Sequence, residues 1–218
     1  MKDSATVFVV DDDQDLRTSL GWLLRNAGWT VECFSSAREF LDAYEPDAPG
    51  CLILDVRMPE MNGLELQQEL KRRGSRLPII IMSGHADVPI AVHAIQEGAL
   101  DLIEKPFNRE ILFERIQEAI TQDAENRKAR TFHNEVTTRL SGLTPREHEV
   151  FALLVQGNTT KQIAWELGVS ARTVEKHRER VMKKMQVDSA AELILLAVDG
   201  GILERPSPAL PARESTAS

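Results

Sequence analysis

Carboxylate, hydroxyl and ammonium side chains directly follow four apolar segments in the first half of the chain, namely Asp11, Asp12, Asp13, Asp55, Ser83 and Lys105. Several carboxylates at one point repel one another, so such a cluster is tolerated only where a cation neutralises it. A few carboxylates, with the remaining positions left to water and phosphate, suit Mg²⁺ better than an all-protein calcium cage. The hydroxyl of Ser83 and the ammonium of Lys105 are then suited to phosphate oxygens. The residues therefore predict phosphoryl chemistry at a magnesium site.

A second group of chemically informative residues lies near the other end of the chain. Residues 171–185 contain six Lys and Arg residues against two Glu residues, a net charge of +4, and Ser170 before them is a good helix N-cap. A scaffold segment, 160–167, and a turn containing Gly168 precede this basic segment. This order predicts a helix-turn-helix, whose second helix enters the major groove of DNA.

The candidate DNA contacts are the cationic and hydroxyl side chains of this reading helix: Arg172, Thr173, Lys176, Arg178, Arg180, Lys183 and Lys184. Among them, Lys176 and Arg180 are the first choice for base edges or phosphates, and the others are supporting contacts. Val174, Val181 and Met185 are expected to face the core of the domain. Phosphate contacts give affinity without sequence preference, whereas base contacts specify the site.

The elements that must position the acidic cluster are predicted from hydrophobic patterning. Short apolar runs alternate with amphipathic stretches, which is typical of βαβ units. Five strands and five helices fit one α/β doubly wound five-stranded parallel sheet with strand order 2-1-3-4-5. Ligands of such sheets gather beyond the carboxyl ends of the strands. Because the first and third strands are adjacent in this order, the acidic residues after the first strand lie beside Asp55.

The second half of the chain is predicted to be helical. Residues 123–139 are polar and contain neither Gly nor Pro, which predicts a solvated helical linker, with Phe132 and Val136 as weak hints of a pairing seam. Thr144 is a candidate N-cap before Pro145, where an all-α four-helix domain begins. The predicted domains are a sheet domain at 4–122, the linker at 123–139, the helix-turn-helix domain at 140–203 and a disordered tail at 204–218.

Composition supports two compact domains of a soluble protein. The 218 residues are 42% hydrophobic and 28% charged, and no apolar run approaches the roughly 20 residues that span a bilayer. Residues 1–123 carry 12 Lys and Arg against 22 Asp and Glu, whereas residues 124–218 carry 14 against 12, which suggests different partners for the two halves. Cys33 and Cys51 lack metal-site spacing, which predicts two buried reduced thiols and a cytoplasmic location.

The first half resembles the receiver domains of two-component response regulators, over roughly residues 4–122. The resemblance is carried by Val9-Val10-Asp11-Asp12, Asp55-Val56-Arg57-Met58-Pro59-Glu60-Met61-Asn62-Gly63, Ser83-Gly84 and Lys105-Pro106-Phe107. It implies that Asp55 accepts a phosphoryl group and that Ser83 and Lys105 contact its oxygens. It also implies that Asp11, Asp12, Asp55 and the backbone carbonyl of Arg57 hold Mg²⁺. In this family the Lys-Pro peptide bond is typically cis, so Lys105-Pro106 is expected to be cis.

The second half resembles LuxR-type output domains over roughly residues 140–203. The resemblance is carried by Leu143-Thr144-Pro145-Arg146-Glu147, Lys161-Gln162-Ile163-Ala164 and Ser170-Ala171-Arg172-Thr173-Val174-Glu175-Lys176-His177. The two domains in this order are similar to the NarL/FixJ class, which implies a transcription regulator controlled by phosphorylation and not an enzyme. The partners implied are a sensor histidine kinase, double-stranded DNA and RNA polymerase, with no membrane. One reading helix covers a half-site, so dimerisation on phosphorylation and inverted-repeat promoter sites are expected.

Two alternative functions fit parts of the sequence. A phosphorylation-independent DNA or RNA binder would keep the first domain as a merely structural unit. A Mg²⁺-dependent phosphatase of the haloacid dehalogenase kind needs an Asp-x-Asp motif, which Asp55-Val56-Arg57 lacks. One departure from the receiver family also matters, because Leu102 stands where the family usually has Tyr or Phe. The aromatic switch of the family is therefore absent.

Overall fold

The computed structural model describes residues 5–84 and 88–203, except for the side chain of Val88, and the chain forms two units divided between Arg127 and Lys128. The predicted disordered tail, 204–218, lies outside the described residues. None of the described helices is both long enough and apolar enough to cross a membrane.

The first unit is a parallel sheet with helices on both faces, and its strand order, β2-β1-β3-β4-β5, confirms the predicted fold. Its elements are β1 (Thr6–Val10), α1 (Gln14–Asn26), β2 (Thr30–Phe34), α2 (Ala37–Ala43), β3 (Gly50–Asp55), α3 (Gly63–Arg72), β4 (Ile79–Ser83), α4 (Val88–Gln96), β5 (Asp101–Glu104) and α5, which begins at Arg109. The central strand β3 is buried along its whole length, as expected for a parallel sheet covered on both faces.

Alternate strand residues divide the core of this unit into two layers. Val7 and Val9 of β1 pack in a cluster with Leu20 of α1 and Ile116 of α5, whereas Phe8 packs in the opposite cluster with residues of α2 and α3. Each fully buried aliphatic or aromatic side chain of this kind stabilises the fold by about 1.5–3 kcal/mol. The two layers hold the strands in register, and the carboxyl ends of β1, β3, β4 and β5 therefore lie at one edge.

Helix α5 runs from Arg109 to Ser141, so the division between the two units falls inside a single helix. The segment predicted as a linker is helical, but the prediction that it is solvated is wrong at several positions. Asp123 is buried in the first unit, and Val136 is fully buried in the second unit. Phe132 is partly buried against the same core, so both residues suggested as a pairing seam pack within the second unit.

The second unit combines the end of α5 with the four predicted helices, α6 (Pro145–Val155), α7 (Thr160–Glu166), α8 (Ala171–Met185) and α9 (Ala190–Asp199). Thr144 caps α6 and accepts a hydrogen bond from the backbone of Glu147, with Pro145 at the first helical position as predicted. Ser170 caps α8. The predicted core residues Val174, Val181 and Met185 are fully buried.

The two cysteines are free thiols, as predicted. Cys51 is buried, but Cys33 is only partly buried, so the prediction of burial is wrong for Cys33. Cys33 lies on β2, at one edge of the sheet, and its thiol is near the guanidinium of Arg25. Side chains on a central strand are covered by neighbours on both sides, whereas side chains on an edge strand such as β2 are covered less completely.

Candidate phosphoacceptor site and nucleic-acid interface

The ammonium of Lys105 joins two buried carboxylates at the carboxyl edge of the sheet. Its Nζ lies 2.7 Å from Oδ2 of Asp11 and 2.5 Å from Oδ1 of Asp55. Asp11 follows β1, Asp55 ends β3, and Lys105 follows β5, so three separate strand ends meet at this point. The Lys105-Pro106 peptide bond is cis, as expected.

Backbone groups fix the two carboxylates. The N–H of Arg57 donates to Oδ2 of Asp55 at 2.7 Å, and the N–H of Asp13 donates to Oδ1 of Asp11 at 2.9 Å. The loop after β3 returns close to its own start, because a Cβ at Gly63 would lie 2.2 Å from the carbonyl oxygen of Asp55. Only glycine allows this approach, so Gly63 determines how the Asp55 loop closes.

Burial and ion pairing act in opposite directions on this cluster. Burial raises the pKa of Asp55, and the hydrogen bond and charge of Lys105 only partly offset that effect. Burial also works against the charge of Lys105, but its hydrogen bonds to Asp11 and Asp55 outweigh burial and raise the pKa of Lys105. One ammonium therefore serves two carboxylates, and Asp55 has less charge compensation than an ordinary buried ion pair provides.

The remaining predicted residues of the site lie around this cluster. Ser83 is buried at the end of β4, and its carbonyl oxygen accepts a hydrogen bond from the N–H of Lys105 at 2.7 Å. Asp12 is exposed and lines a cavity of about 530 Å³ together with Arg57. Asp13 is the N-cap of α1, so its side chain has a local role in starting that helix.

The donor set can be compared with what metal ions require. Within residues 5–84 and 88–203, no three acidic, His or Cys side chains converge closely enough to form a metal cage. Two buried carboxylates with an exposed third nearby still fit Mg²⁺, which commonly takes one or two carboxylates and keeps several waters. They fit Ca²⁺ less well, because Ca²⁺ takes six to eight oxygen ligands and its protein sites supply more of them.

The basic face of α8 is well defined by helical geometry. At about 100° per residue, Arg172, Lys176, Arg180 and Lys183 form one stripe, opposite the buried face of the helix. All four side chains are exposed. Thr173 lies beside the stripe, and its backbone N–H donates to the Ser170 hydroxyl at 3.2 Å. The structure thus brings five of the seven predicted residues together.

Two predicted DNA contacts lie away from this stripe. Arg178 is half-buried and lies toward the buried side of α8. Lys184 is paired within the domain, because its Nζ lies 2.6 Å from Oε2 of Glu147, whose side chain is buried. This ion pair and the backbone N–H of Thr144 hold the pKa of Glu147 at about 2. Sequence reasoning missed Glu147, although its place three residues after Thr144 is the signature of a capping box.

Comparisons with known proteins agree with this geometry. The family model described as "Response regulator receiver domain" matches residues 7–117, and the one described as "Bacterial regulatory proteins, luxR family" matches residues 141–197. The regulatory protein FixJ of Azorhizobium caulinodans is 43% identical, over 93% of this chain and 96% of its own length. The chain belongs to the NarL/FixJ class of response regulators.

Other relatives of this response regulator support the same assignment. The response regulator TodT of Pseudomonas putida is 43% identical over 89% of this chain and 86% of its own length. The solved structure of response regulator StyR has a TM-score of 0.80 at 42% identity, covering 89% of this chain and 98% of StyR. Full-length FixJ from B. japonicum has a TM-score of 0.57 at 42% identity, covering 91% and 98%.

The family fixes the general function of this response regulator. It is a transcription regulator controlled by phosphorylation, as predicted, and not an enzyme in the ordinary sense. A receiver joined to a DNA-binding domain implies a sensor kinase and DNA as partners. Receiver domains generally bind Mg²⁺ at their phosphorylation site.

Proposed function

We propose that Asp55 is the phosphoryl acceptor of this response regulator. A carboxylate oxygen of Asp55 forms the new P–O bond while the bond to the donor breaks, and the donor group leaves with the bonding electrons. The observation that carries this assignment is the single ammonium of Lys105 shared between Asp11 and Asp55. A cation held at this distance is suited to follow the negative charge from the carboxylate to the new phosphoryl oxygens.

Asp11, Asp12, Asp55 and the backbone carbonyl of Arg57 are proposed to hold Mg²⁺. The ion would balance the charge of the incoming phosphoryl group. Asp11 and Asp55 supply fixed carboxylates, because backbone N–H groups already orient both of them. The exposed Asp12 and the backbone of Arg57 complete the set from the side of the open cavity.

Ser83 is proposed to bind a phosphoryl oxygen and to carry the signal away from the site. Since the backbone of Ser83 already accepts from Lys105, the two residues move as neighbours. Tightening at Ser83 would reposition the segment that leads to α4. The surface of residues 88–122 then dimerises, and its exposed Val92, Ile95 and Ile111 supply apolar area for that contact. The receiver also assists the later hydrolysis of its own phosphoaspartate.

The stripe of α8 formed by Arg172, Lys176, Arg180 and Lys183, with Thr173 beside it, is proposed to contact DNA. Dimerisation would present two reading helices to inverted-repeat promoter sites, where the protein acts on RNA polymerase. A histidine kinase supplies the phosphoryl group, and a cytoplasmic location follows from these partners.

Phosphorylation of full-length protein by an acyl phosphate tests the acceptor. With Mg²⁺ present, the wild type is expected to gain one phosphoryl group by intact mass, and the Asp55→Asn variant none. The control is Asp15→Asn, since the Asp15 side chain is exposed in the first turn of α1 and is not one of the proposed ligands. Normal phosphorylation of Asp55→Asn would reject the assignment.

Dimer mass and DNA affinity, measured with and without the acyl phosphate, test the switch. Both are expected to rise on phosphorylation of the wild type and to stay constant for Asp55→Asn. Equal DNA binding by the phosphorylated and unphosphorylated wild type would instead support a phosphorylation-independent binder.

A further inference from the structure

The C-terminal end of the reading helix α8 is tied to the corner between α5 and α6 by two cationic side chains. Lys184 lies 2.6 Å from Oε2 of Glu147 and donates to the carbonyl oxygen of Gly142 at 3.0 Å. Arg139, in the last turn of α5, donates to the carbonyl oxygen of Met185 at 3.2 Å. The last carbonyl groups of a helix have no partner inside it, so Arg139 satisfies one that the helix leaves open.

The side chain of Glu147 is fixed in place, so it could not move with Lys184. The same Oε2 atom that faces Lys184 also accepts the backbone N–H of Thr144 at 2.8 Å, and the side chain of Glu147 is 3% exposed. A lysine that left this carboxylate to reach a DNA phosphate would leave a buried charge unpaired. That cost is larger than the gain from one exposed phosphate contact.

Lys183 provides the internal comparison. Both lysines are exposed, but they point about 100° apart around the helix. Lys183 lies on the stripe with Arg172 and Lys176, whereas Lys184 lies beyond Arg180 and its ammonium pairs with Glu147.

We propose that Lys184 is a positioning residue, which holds the end of the reading helix through Glu147 and the Gly142 carbonyl and does not contact DNA itself. Arg139 assists it from α5. This inference rests on the proposed function of α8 as the DNA-reading helix, and it divides the basic residues of α8 into those that contact DNA and one that orients the helix.

The dependence of DNA affinity on salt separates the two roles. Each phosphate contact contributes about 0.9 to the slope of log affinity against log salt on duplex DNA. Full-length Lys183→Met is expected to lower this slope by about one such contact on a mixed-sequence duplex. Lys184→Met is expected to lower affinity by the same factor at every salt concentration, with the slope unchanged.

A double variant keeps the test valid if Lys184→Met folds poorly. Glu147→Gln combined with Lys184→Met removes both charges, and the Gln side chain can still accept the N–H of Thr144. We expect this double variant to unfold at a higher denaturant concentration than Lys184→Met, and to keep the wild-type salt slope.

Two results would overturn the inference. One is a slope reduced in Lys184→Met, or in the double variant, by as much as in Lys183→Met. The other is a double variant no more stable than Lys184→Met, since that would show that Glu147 is not the partner. An unchanged slope in Lys183→Met would instead contradict the DNA-binding role of the stripe, and the stability measurements would still decide the pairing.

Discussion

Each unit of this response regulator contains a lysine that neutralises buried carboxylates, but the two clusters differ in how fully the charge is balanced. In the receiver, Lys105 serves both Asp11 and Asp55. In the output unit, Lys184 serves Glu147 alone, and the backbone N–H of Thr144 supports the same carboxylate. The carboxylate of Asp55, which shares its cation, is therefore the less fully compensated of the two, and the carboxylate of Glu147 is held in one position.

The pKa values of the two carboxylates express this difference. Burial raises the pKa of Asp55 despite its ion pair, whereas the hydrogen bond from Lys184 lowers the pKa of Glu147 to about 2. The folded receiver thus holds an incompletely compensated charge at Asp55, where a phosphoryl group and a divalent cation would restore the balance. In the output unit, by contrast, the charge of Glu147 is fully compensated.

The largest expected effects on stability come from removing either cation, first the dedicated one. Lys184→Met leaves the buried Glu147 carboxylate without its partner, which costs about 3–5 kcal/mol of unfolding free energy. Hydrogen exchange of full-length protein would show faster exchange in α6 and α8, with the receiver unchanged. Unaltered exchange in α6 would contradict the claim that the pair of Lys184 and Glu147 stabilises this helix.

Removing the shared cation should cost about as much, and Mg²⁺ should reverse the loss. Lys105→Met leaves the buried carboxylates of Asp11 and Asp55 facing each other, at a cost of about 3–5 kcal/mol to the receiver. Mg²⁺ binds the folded state and stabilises it by mass action. Urea unfolding should therefore show a larger gain from Mg²⁺ in Lys105→Met than in the wild type, whereas Lys184→Met, whose receiver is intact, should gain as much as the wild type. An equal gain in all three proteins would remove the distinction between the clusters.

Neutralising each carboxylate should change stability in opposite directions at neutral pH. Glu147→Gln loses a charge-assisted hydrogen bond and is expected to destabilise the output unit by about 1.5 kcal/mol. Asp55→Asn removes an ionised group whose raised pKa shows that folding disfavours its charge, so the receiver is expected to become more stable. Urea midpoints of the two variants on either side of the wild type would confirm this; midpoints on the same side would contradict it.

A further expected effect concerns acid. The folded pKa of Glu147 is about 2 and its ordinary value is 4.5, so the unfolded chain binds more protons there between these pH values. The stability from the pair is complete above about pH 4.5 and is lost as the pH falls toward 2. Acid titration of the output-unit signal should be shallower in Glu147→Gln than in the wild type, and identical curves would refute the pairing.

Sequence patterning predicts the residues of the receiver site better than it predicts the roles of the basic residues on α8. Asp11, Asp55 and Lys105 are predictable because parallel strands bring their carboxyl ends to one edge, whatever the details of packing. The pairing of Lys184 depends on Glu147, which is 37 residues away and on another helix. Helical spacing predicts that Lys183 and Lys184 point in different directions. It does not predict which of the two lysines meets a buried carboxylate.

The same limit explains the error in the predicted linker. The absence of Gly and Pro predicts a helix correctly, because that property is local. Whether a residue such as Val136 meets solvent or a core depends on packing with α9, where a Cβ at Gly200 would lie 2.9 Å from a methyl group of Val136. The apolar side chains of Phe132 and Val136 indicate that this stretch makes a contact, but which element they contact is a tertiary property that the sequence does not show.

The burial of Asp123 has a practical consequence for dissecting the protein. Its carboxylate accepts the backbone N–H of Gly50 at the start of β3 and pairs with Arg127, which in turn donates to the carbonyl oxygens of Asp47 and Ala48. An isolated receiver fragment that stopped at residue 122 would lack these hydrogen bonds, which hold the start of its central strand β3. A fragment intended for spectroscopy or crystallisation should therefore extend beyond Arg127.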